Sequence, residues 1–243
     1  MQSEKSAVKG FPELSRLMET GEPVCVTFET GEENVKGKPG EGKTEEEETG
    51  RKEAAEARSE ILPEKSDLLF CELVHKARFG ETFRISGQGC SPGDYVLGLS
   101  EESPAAYYLK SGRYRDPQAA EKAVLALPRF DKKFCSVRIE PLSLNKGDFD
   151  VLILFLKPEK AMRIVQASAY AKGERTKMDT LGAASVCGDC TVLALREGLG
   201  LSFGCKGSRK HSGYEDFEVP LGIAFDKVKE IEAGLSSLPG TQA

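Results

Sequence analysis

The sequence predicts an α/β protein in which two related strand-helix-loop halves form one mixed-sheet unit about a pseudo-twofold axis. Three observations indicate this fold: two short apolar runs typical of buried strands, a helix-periodic segment after each run, and a cysteine-containing loop after each helix. The chain has 243 residues, enough for one domain with a substantial core. We therefore expect a single domain over residues 1–243, with halves at about 12–145 and 146–235.

The strands and helices of the two halves follow from their apolar patterns. In the first half, "PVCVTF" (23–28) predicts a buried strand, and "SDLLFCELVHKARFG" (66–80) predicts a helix. In the second half, "DVLILFLK" (150–157) predicts the strand and "PEKAMRIVQASAYAKGE" (158–174) predicts the helix. Each half then continues into a segment with cysteine and glycine.

Residues at matching places in the two halves support the duplication. Gly80 matches Gly173 at the end of the predicted helices, and Cys90 matches Cys187 in the loops that follow. A pseudo-twofold axis would bring equivalent loops together near the axis. We therefore expect Cys90 and Cys187 to face each other.

A charged insertion interrupts the first half at about residues 29–65. This segment is nearly free of apolar residues and dense in Glu, Lys and Gly, so it has no core of its own to form. We expect a flexible, solvated insertion without a direct role in function. A partner-binding acidic segment is the alternative.

Charge and hydropathy exclude several classes of protein. The net charge of -5 argues against nucleic-acid binding, which usually shows a basic excess. There is no apolar run of the roughly 18 to 20 residues needed to cross a membrane, and no signal-peptide pattern. We expect a cytoplasmic protein without a nucleic-acid or membrane partner. The sequence leaves open whether it forms a homo-oligomer.

The seven cysteines are the strongest chemical signal in the chain. The count is odd and the chain is large enough to fold without disulfide bonds, which favours reduced thiols or metal thiolates over a disulfide framework. Thiolates are soft donors that suit zinc, copper(I) or an iron-sulfur cluster. The predicted metal ligands are Cys90, Cys187, Cys190 and Cys205, with Cys71 in reserve.

The spacing of these cysteines favours an iron-sulfur cluster, of the 4Fe-4S type, over zinc. Zinc ribbons carry two C-x-x-C pairs, whereas this chain has one, "CGDC" at 187–190, together with isolated cysteines. Zinc is the weaker alternative. Cys25 and Cys135 lie in plain strand patterns and are expected to be buried structural residues.

A basic loop follows the last of these cysteines. In "GCKGSRKHSGYEDFEVPLG", Gly207, Arg209 and Lys210 could converge on an anion, since glycine amides and a guanidinium suit that purpose. The alternative is that Arg209 pairs with Glu215 or Glu218 and fixes the loop.

Three functions remain open from the residues alone. The first is a cysteine-ligated cofactor protein with a redox or electron-transfer role. The second is a thiol-dependent enzyme or a binder of a small anionic ligand, which would use the Cys187/Cys190 pair and Arg209. The third is an interaction or assembly protein with structural cysteines. No G-x-S-x-G, P-loop or dinucleotide fingerprint is present, so whether the protein is an enzyme stays open.

The segments above also resemble a known family. The succession is "PVCVTF", "FCELVHKARFGETF", "GCSPGDYVLGL", "DVLILFLKPEKAMRIVQASAY", "VCGDCTVLAL" and "FGCKGSRKHSGYEDFEVPLGI". It resembles domain-of-unknown-function family 169, common in methanogenic archaea and other anaerobes, from about residue 12 to 235. The resemblance implies the family fold and an anaerobic setting, in which an oxygen-sensitive cluster is plausible. It carries over no catalytic residues.

Overall fold

A seven-stranded mixed sheet forms the centre of the molecule, in a computed structural model that describes residues 11–30 and 64–239. The sheet order is β2-β3-β4-β1-β5-β7-β6. The β2/β3 pair is parallel and the other neighbouring strands are antiparallel. The strands are β1 (Val24–Glu29), β2 (Glu64–Lys65), β3 (Phe83–Gly87), β4 (Ser136–Pro141), β5 (Val151–Leu156), β6 (Leu199–Leu201) and β7 (Val219–Ala224).

Helices cover both faces of the sheet. In the described residues they are α1 (Pro12–Leu17), α2 (Phe70–Ala77), α3 (Ser91–Val96), α4 (Ala105–Lys110), α5 (Pro117–Leu125), α6 (Pro158–Ala169), a π-helix (Ser185–Val192), α7 (Leu193–Glu197), α8 (Lys206–His211) and α9 (Phe225–Ser237). The prediction of an α/β protein with a mixed sheet is confirmed. The predicted strands are β1 and β5, and the predicted helices are α2 and α6.

Side chains alternate between two hydrophobic cores, one on each face of the sheet. On β5, Ile153 belongs to the first core and Leu154 to the second. The first core is completed by α2 and part of the π-helix, and the second by α1, α6 and α9. Because β5 is buried on both faces, its sequence "VLILFL" is continuously apolar rather than alternating.

The topology gives a correspondence between the halves that differs from the one expected from sequence. The helices α2 and α6, matched by sequence, pack on opposite faces of the sheet. A twofold axis normal to the sheet would keep equivalent helices on one face. From the centre of the sheet toward its two edges, the strands follow in the order β1-β4-β3 on one side and β5-β7-β6 on the other. In this comparison α2, which precedes β3, corresponds to the π-helix, which precedes β6. The twofold axis itself stays a prediction.

The segment expected to be a cysteine loop is helical, and it lies directly on two glycines of the sheet. Gly200 in β6 and Gly222 in β7 are register partners. A Cβ atom added at Gly200 would overlap the Asp189 carbonyl oxygen, and one added at Gly222 would overlap the Cys190 carbonyl oxygen. The π-helix therefore approaches the sheet more closely than any side chain at these positions would permit.

The predicted insertion lies almost wholly outside the described residues. Its two ends belong to the sheet, where Glu29 closes β1 and Glu64–Lys65 form β2. Residues 31–63 are outside the described part of the chain. Among the described residues, no helix is both long enough and apolar enough to cross a membrane.

Replacing Gly222 by alanine should destabilise the protein strongly. The new methyl group meets backbone rather than a flexible side chain, so we expect a loss of more than about 3 kcal/mol in the free energy of unfolding. Chemical denaturation would measure this loss. Gly87→Ala in β3 is the matched control, since a Cβ there meets only ordinary contacts at 3.5 Å or more. Equal stabilities of the two variants would contradict the close packing of the π-helix against the sheet.

Candidate functional site

Four cysteines from four separate elements surround one small cavity beside the first core. Cys71 is the second residue of α2, Cys90 precedes α3 as its N-cap, Cys187 is the third residue of the π-helix, and Cys205 is the N-cap of α8. The cavity has a volume of about 30 Å³. We call it the thiol cavity. It collects four of the five cysteines that the sequence singled out.

Two pairs of these cysteines occupy similar local positions. Cys71 and Cys187 lie near the starts of the helices that precede β3 and β6. Cys90 and Cys205 are the N-caps of the short helices that follow those strands, and each comes directly after a glycine. These local positions pair Cys90 with Cys205, whereas the sequence pattern paired Cys90 with Cys187; the duplication itself stays a prediction.

Gln88 joins α2 and α3 through its side chain and its backbone. Its side-chain Oε1 atom accepts a hydrogen bond from the Phe70 amide at 2.6 Å, which satisfies a free N–H in the first turn of α2. Its backbone N–H donates to Asp94 Oδ1 of α3 at 3.0 Å. Gln88 therefore fixes the position of both cysteines at once.

Cys205 is held by a reciprocal cap at the start of α8. The Ser208 amide donates to the Cys205 sulfur at 3.4 Å, and the Cys205 amide donates to Ser208 Oγ at 2.9 Å. Ser208 Oγ lies 2.8 Å from the Tyr214 hydroxyl, which ties the cap to the first core. The Cys205 sulfur is thus positioned by the backbone and already accepts one N–H.

Arg209 fixes the loop around α8 and does not face an anion. Its guanidinium donates to the carbonyl oxygens of Phe203, Glu215, Asp216 and Glu218 at 2.8–3.2 Å. Because its donors are used in this way, the structure favours the alternative in which Arg209 holds the loop. It does so through backbone carbonyls rather than through the acidic side chains expected from sequence.

The other two residues of the predicted anion site separate. Lys210 is exposed on α8. Gly207 lines the thiol cavity, where an added Cβ would lie 3.8 Å from the Cys205 sulfur. The structure therefore does not bring Gly207, Arg209 and Lys210 together around one ligand.

Cys190, which was predicted to share the site, lies away from the cavity. Its thiol donates to the Pro220 carbonyl of β7 at 3.2 Å, on the sheet side of the π-helix. A π-helix has roughly four to five residues per turn, so positions three apart do not share a direction. The two sulfurs of "CGDC" therefore diverge, although a turn would have brought them together.

The two cysteines expected to be structural differ in exposure. Cys25 is buried in the second core, as expected. Cys135 is exposed, because β4 begins one residue later at Ser136, so its predicted burial is wrong.

Burial raises the pKa of three of the cavity thiols, those of Cys71, Cys90 and Cys187. Burial raises the pKa of Cys71 to about 12, an effect increased by Cys205 and Cys90 and opposed by the neighbouring Ser212 hydroxyl. Burial also raises the pKa of Cys187 well above its ordinary value, and the three other cavity cysteines add to the rise. Each thiol thus acts electrostatically on the others, as expected for one cluster.

Three further side chains at the cavity were missed by the sequence analysis. Gln88 Nε2, Tyr108 Oη and Ser185 Oγ are buried and have no hydrogen-bond partner among the described residues. Buried polar groups are nearly always paired, so three unpaired groups at one cavity indicate a missing ligand. Sequence offers little signal for them, although Gln88 lies two residues before Cys90.

The described lining of the cavity carries one charged side chain, Arg113, and no carboxylate. Within residues 11–30 and 64–239, no three His, Cys, Asp or Glu side chains are arranged to hold a single metal ion. The four cysteines therefore share a cavity, but their side chains do not form a metal site as they stand.

A larger groove of about 250 Å³ lies elsewhere, between the segment after α6 and the start of α9. Its described lining contains no cysteine, and its lysines approach glutamates: Lys172 and Lys227 approach Glu230 at 3.8 and 3.2 Å, and Lys177 approaches Glu197 at 3.5 Å. The cysteines that the sequence singled out lie at the smaller cavity instead.

The exposure of each cysteine predicts the order in which the thiols react in metal-free protein. Brief alkylation at pH 7, followed by mass spectrometry, should modify exposed Cys135 first and leave Cys25 and Cys190 unmodified until unfolding. Modification of Cys190 as fast as Cys135 would contradict its burial against β7.

Asp189 predicts a pH dependence of stability. It lies in the π-helix, accepts hydrogen bonds from Thr180 Oγ1 and Ser202 Oγ, both at 2.7 Å, and burial raises its pKa to about 6. A raised folded-state pKa gives stability that is present below about pH 4 and is lost as the pH rises through 6.

Replacing Asp189 by asparagine should remove this loss. The stability of Asp189→Asn relative to wild type should rise by about 2 kcal/mol between pH 4 and pH 7, measured by urea denaturation. Asp148→Asn, at an exposed position, is the control and should show a flat difference. A flat difference for Asp189→Asn as well would contradict the buried carboxyl.

Comparison with known proteins gives a family and one relative. The model of the family DUF169, described as uncharacterised ArCR, matches residues 15–234. The chain is 30% identical over 172 residues to "Uncharacterized protein MJ0308" of Methanocaldococcus jannaschii, covering 66% of this chain and 73% of that protein. No solved structure matches. The resemblance expected from the sequence is therefore confirmed.

Proposed function

Since the chain belongs to the DUF169 family, described as uncharacterised, we propose a function from its own site: it binds a cysteine-ligated iron-sulfur cluster and uses it in electron transfer. The proposed ligands are Cys71, Cys90, Cys187 and Cys205. The observation that carries the proposal is that these four cysteines, 134 residues apart in sequence at the extremes, line one cavity. Buried structural cysteines have no reason to converge in this way.

The charge of the surroundings supports a thiolate cluster. Four thiolates around iron and sulfide give a group with net negative charge, which suits a cavity lined by Arg113 and by no carboxylate. Backbone N–H groups at the starts of helices also point toward two of the sulfurs: the Ser208 amide toward Cys205 and the Gly93 amide toward Cys90. Such N–H···S hydrogen bonds stabilise sulfur ligands.

A cluster and a single zinc ion place different demands on the sulfurs. A tetrahedral zinc site needs sulfurs about 3.8 Å apart, because each Zn–S bond is about 2.3 Å. A cluster sets its ligand sulfurs further apart, since iron and sulfide atoms lie between them. Among the described residues, no three His, Cys, Asp or Glu side chains are arranged to hold a metal ion, so the ligand set is proposed from the shared cavity alone.

A cluster would require the site to open, because a cavity of about 30 Å³ is smaller than a core of four iron and four sulfide atoms. Burial raises the pKa of Cys71, Cys90 and Cys187, so cluster assembly releases protons and becomes weaker as the pH falls.

The position of the cavity suits electron transfer. Cys71, Cys90 and Cys205 are only half-buried, and Tyr107 at the cavity is 43% exposed. A redox partner could therefore approach a cluster from this side.

A redox dithiol at Cys187 and Cys190 has less support. The Cys190 thiol is bonded to Pro220 on the sheet side, and burial raises the pKa of both thiols well above the ordinary value. Reactive dithiols have lowered pKa values.

Serine substitutions test the proposed ligand set. After anaerobic purification or reconstitution with iron and sulfide, wild-type protein should hold about four iron atoms per chain and absorb visible light. Serine at Cys71, Cys90, Cys187 or Cys205 should lower the iron content several-fold. Cys190→Ser, in the same helix as Cys187, is the matched control and should keep the cluster, as should Cys25→Ser and Cys135→Ser.

Three outcomes would contradict the proposal. Loss of iron in Cys190→Ser with retention in Cys71→Ser would restore the ligand set expected from sequence. Tightly bound zinc in place of iron would keep the four-thiol site and reject the cluster. Colourless protein with no bound metal would leave the cysteines as structural residues.

A further inference from the structure

Three hydrogen-bond donors at the thiol cavity have no partner among the described residues. We propose that Gln88, Tyr108 and Ser185 donate hydrogen bonds to the sulfur atoms of the bound group and thereby raise its reduction potential. The inference rests on the proposed cluster and adds the residues that tune it. These three residues act on the cluster ligands and are positioning residues, not ligands themselves.

Tyr108 is the best placed of the three. Its side chain is fully buried, with the Tyr114 ring edge-on at 5.4 Å and the Arg113 guanidinium 5.5 Å from its ring centroid. Its hydroxyl has no partner among the described residues. Tyr108 lines the cavity together with Cys90 and Cys187. Burial raises the pKa of the Tyr108 phenol, and Cys187 and Cys90 add to the rise.

Gln88 is fixed as a donor by its own amide geometry. Its Oε1 atom already accepts the Phe70 N–H at 2.6 Å, so the opposite end of the amide must be the NH₂ group. That Nε2 atom is buried and unpaired in the described structure. Reversal of the amide would break the Phe70 hydrogen bond.

Ser185 supplies the third donor from the π-helix. It is the first residue of that helix, two positions before Cys187, and it is fully buried. Its hydroxyl has no partner in the described part of the chain. The preceding residue, Ala184, has a left-handed backbone with φ of 51°, an uncommon conformation for alanine that occurs at functional sites.

Hydrogen bonds to the sulfur atoms of a bound cluster would satisfy these donors. A buried polar group without a hydrogen-bond partner destabilises the folded protein. Hydrogen bonds to cluster sulfurs are stronger when the cluster carries more negative charge. The donors therefore favour the reduced state, which gains one electron from an external reductant with no bond made or broken, and the reduction potential rises.

Tyr108→Phe is the direct test, because it removes the hydroxyl and keeps the ring. In reconstituted protein titrated with dithionite under anaerobic conditions, the ratio of reduced to oxidised cluster at a fixed potential should fall about tenfold. For a one-electron couple that equals a decrease of about 59 mV. Tyr114→Phe is the matched control: its ring touches Tyr108 but lies outside the cavity, and its potential should be unchanged.

Ser185→Ala gives a second, independent measurement. The variant should also lower the potential of the cluster. In metal-free protein, however, it removes an unpaired buried hydroxyl, so its melting temperature should equal or exceed that of wild type. A purely structural serine would show the opposite, a lower melting temperature and an unchanged potential.

The outcomes separate this inference from the proposed function. A cluster present in Tyr108→Phe and Ser185→Ala at the wild-type potential overturns the tuning role and leaves the proposed function intact. Wild-type protein that binds no iron overturns the proposed function and the inference with it. A lower potential in both variants, with Tyr114→Phe unchanged, supports the inference.

Discussion

The close approach of the π-helix to the sheet determines the rest of the site. Gly200 and Gly222 face each other across β6 and β7, and the carbonyl oxygens of Asp189 and Cys190 occupy the space where their side chains would be. This contact buries Asp189 and turns Cys190 toward β7. Cys187 lies on another face of the π-helix and lines the cavity. The packing of the π-helix backbone against the sheet thus determines that Cys187, and not Cys190, lies at the cavity.

The remaining cysteines are placed by the same principle, in which backbone groups and not side-chain rotamers set the position of each sulfur. Cys90 and Cys205 are helix N-caps, where the backbone before the first turn is extended and nearby N–H groups are free. Gln88 links two of the helices, and Arg209 holds the loop that carries Cys205. At the resulting cavity, the donors of Gln88, Tyr108 and Ser185 have no hydrogen-bond partner among the described residues.

Much of the fold was predictable from the sequence, because apolar runs such as "VLILFL" and helical periodicity depend on local pattern. Much of the cysteine set was predictable too, since the residue types carry the chemistry. Cys190 was assigned to the site because C-x-x-C spacing converges on a turn, and no spacing rule identifies a π-helix. The similar local positions of Cys90 and Cys205 had a signal in the repeated Gly-Cys pair. Gln88, Tyr108 and Ser185 had none, because burial without a partner is a property of the folded molecule.

The proposed function requires that one polynuclear iron centre joins the four cavity sulfurs. Iron K-edge X-ray absorption on anaerobically purified full-length protein reports the atoms around each iron without depending on any variant. We expect sulfur neighbours at about 2.3 Å together with iron-iron scattering. Iron surrounded by nitrogen and oxygen atoms, or a spectrum without iron-iron scattering, would contradict it.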